Sequence, residues 1–273
     1  MPEQLLLGRR TAYPSKYSPE LLVPIARAAG RAQLGLGAKL PFGGADIWTA
    51  YELSWLDNRG KPIVAVGELR FPAETPNIVE SKSLKLYFNS LNGMPFDNVE
   101  AVRVLIERDL GRAAGGTVSV EMLPVMQPSV GEHVEFPGTC IDDLDVEVTD
   151  YEVNPNLLRL DAGTDKPVEE TLHSHLFKTN CPVTEQPDWA SVLVRYSGRA
   201  IDHAALLLYL ISYRNYAAFH EHCVERIFMD LLRCCEPRQL SVYARYTRRG
   251  GIDINPYRSN FEAAPSNLRL GRQ

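Results

Sequence analysis

Five cysteines, Cys140, Cys181, Cys223, Cys234 and Cys235, are too few and too irregularly spaced for a disulfide framework. No CxxC pair occurs, and the adjacent Cys234 and Cys235 lack companion ligands at metal-site spacing, so no metal is expected. There is no run of about eighteen apolar residues to span a bilayer. The start, MPEQLLLGRRTAYPSK, lacks the long apolar stretch of a secretory signal, and a cytoplasmic protein without membrane contact is expected. No Walker loop and no G-x-S-x-G elbow appear. GLGAKL has Gly35 and Gly37, but Leu40 stands where a dinucleotide fingerprint needs a third glycine. Net charge is −5 with both signs interspersed, which offers no global attraction to a phosphate backbone and excludes a direct nucleic-acid role.

What the chain does have is core material: 45% hydrophobic residues in 273 suit one large or two medium domains. Ile47, Thr49, Tyr51, Leu53 and Trp55 alternate as a strand, DNRGKP turns, and IVAVGELRF reads as its hairpin partner. Leu84, Tyr87, Phe88 and Leu91 then fall at helical spacing, as do Val102, Leu105, Ile106 and Leu110 after the candidate caps Asp97 and Asn98. TVSVEML closes this half as a strand. The second half repeats the order: VEETLHSHLFK and ASVLVRYSG as strands, AIDHAALLLYLISYR and FHEHCVERIFMDLL as helices, QLSVYARY as a strand. Two α+β domains follow, each an antiparallel sheet with helices on one face, over residues 1–126 and 167–273, joined by a Pro- and Gly-containing connector, 127–166. Within the connector DLDVEVTDYEV has strand character, and SPELLVPIAR, interrupted by Pro24, is left extended or irregular.

Cys181 sits in FKTNCPVTEQPDW, where Pro182 and Pro187 prevent a continuous helix or central strand, so Cys181 and Asp188 are both placed on an ordered loop. A cysteine by itself reads first as core packing, and an aspartate after proline as a turn residue. The loop setting makes Cys181 a candidate nucleophile, which needs partial exposure. A carboxylate raises rather than lowers a thiol pKa, so Asp188 is read as a proton donor. In FHEHC, His220 and Glu221 open a helix, where diverging side chains can meet one ligand and a purine-like ring would offer a glutamate two N–H groups. The plain alternatives are a surface histidine and a first-turn glutamate favoured by the helix dipole. ESKSLKLY puts Lys82 and Lys85 where they oppose the dipole, a sign of an anionic ligand or a solvated face, with Ser81 or Ser83 as cap. Arg245, Arg248, Arg249 and Arg258 gather around Gly250 and Gly251, a set suited to phosphate or to a simple basic loop.

Together, ESKSLKLY, CPVTEQPDW, FHEHC, RRGGIDINPYRS and LPFGGADIWTAYELSWL resemble the QueF family, the nitrile reductases of queuosine biosynthesis, in its long fused form. The resemblance implies tandem tunnelling-fold domains and NADPH-dependent reduction of 7-cyano-7-deazaguanine to the 7-aminomethyl compound. It implies that Cys181 forms a covalent thioimide and Asp188 moves protons. Val79, Glu80, Ser81, His220 and Glu221 would hold the deazaguanine, Ser81, Lys82, Arg249 and Gly250 would touch NADPH, and the chain would pair as a homodimer. The rival readings are a pterin- or GTP-processing enzyme of the same fold, which needs a zinc-binding Cys/His set that the sequence does not assemble, and a non-catalytic purine-binding module.

Overall fold

The structure is a computed structural model and describes residues 16–125, 134–149 and 151–273. The chain divides into two compact units: Met1–Gly35, Ala45–Glu132 and Arg248–Ile254 form one, and Leu36–Gly44, His133–Thr247 and Asn255–Gln273 the other. Each is α+β. Among the described residues no helix is long and apolar enough to cross a membrane.

The first unit carries, in chain order, β1 (Pro24–Ala26), α1 (Arg27–Gln33), most of β2 (Gly43–Leu56), β3 (Pro62–Pro72), β4 (Asn77–Val79), α2 (Ser81–Leu91), α3 (Val99–Ala114) and β5 (Ser119–Leu123). β2, β3 and β5 pair antiparallel in that order, and β1 pairs antiparallel with β4. The β2–β3 turn is held by Asp57, whose carboxylate accepts the Arg59 and Lys61 amides at 2.9 Å, while Gly60 takes φ 79°. α2 and α3 bury Leu84, Tyr87, Leu91, Val102, Ile106 and Leu110 against Trp48, Leu69 and Phe71 of the sheet. Each such side chain contributes about 1.5–3 kcal/mol by leaving water. Asn98 caps α3 through the Ala101 amide, and Gly115 ends it at φ 73°.

Two expectations change here. Along β2 the core face does not follow one alternation. Trp48 and Ala50 belong to the core, then Leu53 and Trp55, because the pairing steps from Ala50↔Gly67 to Leu53↔Ala65 and leaves one extra residue in β2. This bulge reverses the phase. Ile47 and Thr49 lie buried on the other face. The stretch read as irregular contains a strand and a helix. α1 escaped notice because the side chains it buries are arginines: Arg27 pairs with Asp46 at 2.6 Å, and Arg31 donates to the Ala73 carbonyl at 2.6 Å.

The second unit carries β6 (Thr139–Cys140), β7 (Pro167–Ser174), β8 (Lys178–Asn180), β9 (Pro187–Arg199), α4 (His203–Ile211), α5 (His220–Cys235), β10 (Gln239–Tyr246) and the greater part of β11 (Ile252–Ser259). β7, β9, β10 and β11 pair antiparallel in order, β8 adds to β9, and β6 joins β7 as a short parallel edge. α5 buries Val224, Ile227, Phe228 and Leu231, the stripe expected of it, and α4 is capped by Asp202 through the Ala205 amide. The connector is more ordered than its composition indicates. It supplies β6, whereas the described residues of DLDVEVTDYEV form no strand.

Candidate active site

Cys181 follows β8 directly and begins a tight turn. Its amide donates to the Gln186 carbonyl at 2.8 Å, and its carbonyl accepts the Glu185 amide at 3.0 Å. Glu185 closes the turn at φ 58°, a left-handed conformation that costs a side-chain-bearing residue roughly 1 kcal/mol or more. Cys181 as a residue is only 3% exposed, less than the partial exposure expected of it.

Asp188 is not on the loop. Pro187 is the first residue of β9, where a missing N–H is tolerated, and Asp188 pairs with Thr179 of β8. β8, the Cys181 turn and β9 therefore form a small hairpin that carries thiol and carboxylate on one frame. A second tie comes from the segment entering α5. The Asn180 amide donates to the Tyr216 carbonyl at 2.7 Å, and the Ala218 amide donates to the Asn180 carbonyl at 3.2 Å. The residue before the cysteine is thus fixed to the chain that leads into His220 and Glu221.

His220, the first residue of α5, turns its Nε2 to within 3.3 Å of Asp188 Oδ2. Its ring lies flat on Tyr246, with centroids 3.5 Å apart and planes at 1°. Tyr246 ends β10 opposite Ala190 of β9, which brings it to the same face of the sheet as Asp188. Phe177 packs behind it, 6.3 Å away and edge-on. Asp188 and Glu221 are both almost wholly buried. His220 Nδ1, at the start of α5, and Thr184 Oγ1, in the Cys181 turn, are each a buried atom without a hydrogen-bond partner, polar capacity that the protein itself does not use. Beside it, burial pushes the Cys223 thiol up to about 12, which leaves it inert, and burial lowers the proton affinity of His222, whose Nε2 lies 3.1 Å from the Tyr216 hydroxyl. Tyr246 and Thr184 were missed by sequence reading, since a strand-end tyrosine and a loop threonine carry no motif. The geometry gathers Cys181, Asp188, His220 and Glu221 within this one unit.

The remaining predicted residues belong to the first unit. Val79 ends β4 and is buried, and Ser81 and Lys82 open α2. The cap is neither Ser81 nor Ser83 but Glu80, whose carboxylate accepts the Lys82 amide at 2.9 Å and the Ser83 amide at 2.7 Å. Burial raises its pKa, opposed by those two hydrogen bonds and by the charge of Lys82. Ser83 instead donates to the Glu80 carbonyl and accepts from the Val23 amide, which draws its hydroxyl inward.

Arg249 and Ile252 flank a two-residue hairpin turn, of which Gly250 is the first residue. Gly250 and Gly251 take φ 63° and 79°, and the Arg249 amide donates to the Ile252 carbonyl at 3.0 Å. Paired positive φ angles suit a type I′ turn, for which glycine is the natural residue. The bulge in β2 presents Tyr51 and Glu52 to this turn. The Tyr51 amide donates to the Gly251 carbonyl at 2.9 Å, and Arg248 lies over the Tyr51 ring at 4.5 Å. A Cβ on Gly251 would stand 2.3 Å from the Glu52 carboxyl carbon. Lys85 donates to the Gly250 carbonyl at 2.6 Å and pairs with Glu52 at 3.3 Å, which removes the apparent conflict with the helix dipole. A cavity of about 120 Å³ lies between, lined by the apolar Ala50, Phe88 and Ile252 and by polar groups that include Glu52, Lys85 and Gly250. This is well below the roughly 300–1,000 Å³ of small-molecule pockets, so it can take a phosphate- or ribose-sized group and no more. The donor set of Ser81, Lys82, Arg249 and the exposed Gly250 backbone fits an anionic cofactor.

Arg245 and Arg258 do not belong to that set. Arg245 is buried against Tyr243 and Asn267, and Arg258 is buried with Nε and Nη2 at 3.1 and 2.9 Å from Glu225 Oε1. Alternation on the flanking strands β10 and β11 turns both inward.

The chain is similar to known proteins along nearly its whole length. A family model described as nitrile reductase, 7-cyano-7-deazaguanine-reductase N-term, covers residues 13–122, and one described as QueF-like protein covers residues 187–265. The NADPH-dependent 7-cyano-7-deazaguanine reductase of Bordetella pertussis is 58% identical over 98% of this chain and 97% of its own length. The protein of that description from Paraburkholderia phymatum is 53% identical over 100% of this chain and 99% of its own. Among solved structures, the apo form of the archaeosine synthase QueF-Like matches 36% of this chain and 97% of its own, at 16% identity and a TM-score of 0.32. By its sequence along nearly the whole length, this chain belongs to the 7-cyano-7-deazaguanine nitrile reductase family.

Proposed function

We propose that this chain reduces the nitrile of 7-cyano-7-deazaguanine to the primary amine of 7-aminomethyl-7-deazaguanine with NADPH, a step of queuosine biosynthesis, through a covalent bond to Cys181. The observation that carries the reading is the Cys181 hairpin, which sets a thiol on the same frame as Asp188 and ties it to the helix that presents His220 and Glu221.

A nitrile resists hydride until a nucleophile has added to it. The Cys181 sulfur bonds to the nitrile carbon as one C–N π bond opens, and Asp188 takes the proton that the thiol gives up and passes it to the nitrogen. General acid help of this kind is worth about 10²–10⁴-fold in rate. NADPH, when bound, supplies hydride, and two equivalents with two protons convert nitrile to amine. Between the two reductions the C–S bond breaks, Cys181 leaves, and Asp188 again handles the proton. His220, fixed by its stack on Tyr246, holds the Asp188 carboxylate in place and keeps Nδ1 for the ligand, and Glu221 accepts from the deazaguanine N–H groups. We assign deazaguanine contacts also to Val79, Glu80 and Ser81, and NADPH contacts to Ser81, Lys82, Arg249 and Gly250. We infer a homodimer working in the cytoplasm.

The test is incubation of purified protein with the cyano substrate and no NADPH, followed by intact-mass measurement. A stoichiometric adduct that disappears in Cys181→Ala is expected, and NADPH added to the wild type should be consumed without added metal. An adduct that persists in Cys181→Ala would overturn the nucleophile assignment, and absence of NADPH consumption would leave a binding module.

A further inference from the structure

Outside the site just described, the second unit assembles a group of donors that the sequence keeps far apart. The Sγ of Cys140 and a ring nitrogen each of His173 and His175 all lie within 4.8 Å of one another. We propose that Cys140, His173 and His175 form a binding site for a zinc-class divalent ion, on the β6–β7 edge.

Three features of the local structure build it. The parallel pairing of β6 with β7 sets Cys140 directly opposite His173, and His175, at the bend just past the end of β7, brings its ring to the same pair. Gly138, at φ 88°, allows the approach, since a Cβ there would stand 2.0 Å from the Thr171 carbonyl oxygen. Finally, both imidazoles are already oriented through Nδ1. His173 Nδ1 lies 3.2 Å from the Pro137 carbonyl, and His175 Nδ1 lies 2.7 Å from Ser191 Oγ. The carbonyl only accepts, and the hydroxyl oxygen has a lone pair for an N–H, so each ring can keep its proton on Nδ1 and leave Nε2 for a metal. Outer partners of this kind set the tautomer and direction of metal-bound histidines.

The electrostatics favour a cation. Asp142 receives the His175 amide on Oδ2 at 2.9 Å, while its Oδ1 is buried with no hydrogen-bond partner. Cys140 would bind the ion as thiolate, giving up a proton that the cation replaces. One thiolate with two imidazoles matches the donor preference of zinc, with a fourth position left to water. Tetrahedral zinc needs its S and N donors roughly 3.4–3.6 Å apart, a contraction that side-chain rotation of the exposed Cys140 can supply. The ion would fasten the segment around residues 136–142 to β7. It has no part in the nitrile chemistry, which uses a different thiol.

The test uses the full chain, stripped with a chelator and kept reduced, titrated with Co²⁺ as a spectroscopic stand-in and then displaced by Zn²⁺. The wild type should develop the thiolate-to-cobalt charge-transfer and tetrahedral d–d bands at one equivalent, and Cys181→Ala should behave identically. Cys140→Ala should lose the charge-transfer band, and Cys140→Ala and His175→Gln should bind at least about 100-fold more weakly, beyond the roughly 10–100-fold cost of an outer-partner change. Zn²⁺ should raise the wild-type melting temperature by about several degrees and leave that of Cys140→Ala unmoved, with NADPH consumption by Cys140→Ala unchanged. Absence of the bands in the wild type, their persistence in Cys140→Ala, or their loss in Cys181→Ala would each overturn the assignment.

Discussion

His220 Nε2 and Asp188 Oδ2 stand 3.3 Å apart, with the histidine ring held flat on Tyr246. The contact joins a residue expected to bind substrate to one expected to move protons, and it separates their effects in a measurable way. Asp188→Asn should retain adduct formation with the cyano substrate and lower kcat by about 10²–10⁴-fold, since an amide keeps the shape but cannot give up a proton. His220→Phe keeps a ring to stack on Tyr246 and removes the nitrogen. It should lower kcat in the same direction and also raise the substrate Kd. Stopped-flow measurement of adduct formation and of NADPH oxidation gives both quantities, and unchanged turnover in Asp188→Asn would remove its role as acid.

Glu80 has two duties, as cap of α2 and as proposed substrate contact. Glu80→Ala should cost about 1 kcal/mol of stability through the Lys82 and Ser83 amides it leaves unpaired. Glu80→Gln should cost less, because it keeps an acceptor and removes a charge whose burial already raises the carboxyl pKa. Urea unfolding of both variants checks this, and a Glu80→Ala stability equal to that of the wild type would mean that the cap contributes nothing.

The buried pair Arg258–Glu225 is a structural element rather than a phosphate site. Removing one member leaves an uncompensated buried charge, a loss of about 3–5 kcal/mol, so Glu225→Ala should unfold well below the wild type in thermal denaturation. Surface-like tolerance, within about 0.5 kcal/mol, would contradict the burial described.

The lowered proton affinity of His222 fixes a direction for acid sensitivity. Its pKa in the folded chain lies below the ordinary value of 6.5, because burial and then Arg226 outweigh the pull of Glu225. The unfolded chain therefore binds the proton first as pH falls. The stabilising contribution is complete above 6.5 and is lost as pH drops through the folded-state pKa, with a slope of at most about 1.4 kcal/mol per pH unit. His222→Gln should flatten the stability-against-pH curve on that acid side, measured by urea unfolding from neutral to mildly acid pH. An unaltered curve would refute the linkage.

The regular elements were legible where one face is apolar and the other polar: α2, α3, α5 and the β2–β3 hairpin all announce themselves in spacing. α1 was hidden because its inward side chains are Arg27 and Arg31, and β11 because its glycine turn and arginines read as a basic loop. The motif residues of the site were visible by type and by family pattern. Their partners were not. The stack of Tyr246 on His220, the cap by Glu80 and the meeting of Cys140 with His173 depend on strand register, which fixes neighbours that sequence distance conceals. Asp188 reads as a loop residue in sequence because proline opposes a strand interior, although it is permitted as a strand's first residue.

The extra residue in β2 makes that strand two half-strands set out of step, with Trp48 and Ala50 before the join and Leu53 and Trp55 after it. A one-residue deletion at Tyr51 or Glu52 would splice them into a single phase. Trp48, Ala50, Leu53 and Trp55 would all keep facing the core on a regular ladder to β3, so the loss would fall instead on the glycine hairpin, which would lose its seat on Tyr51 and Glu52.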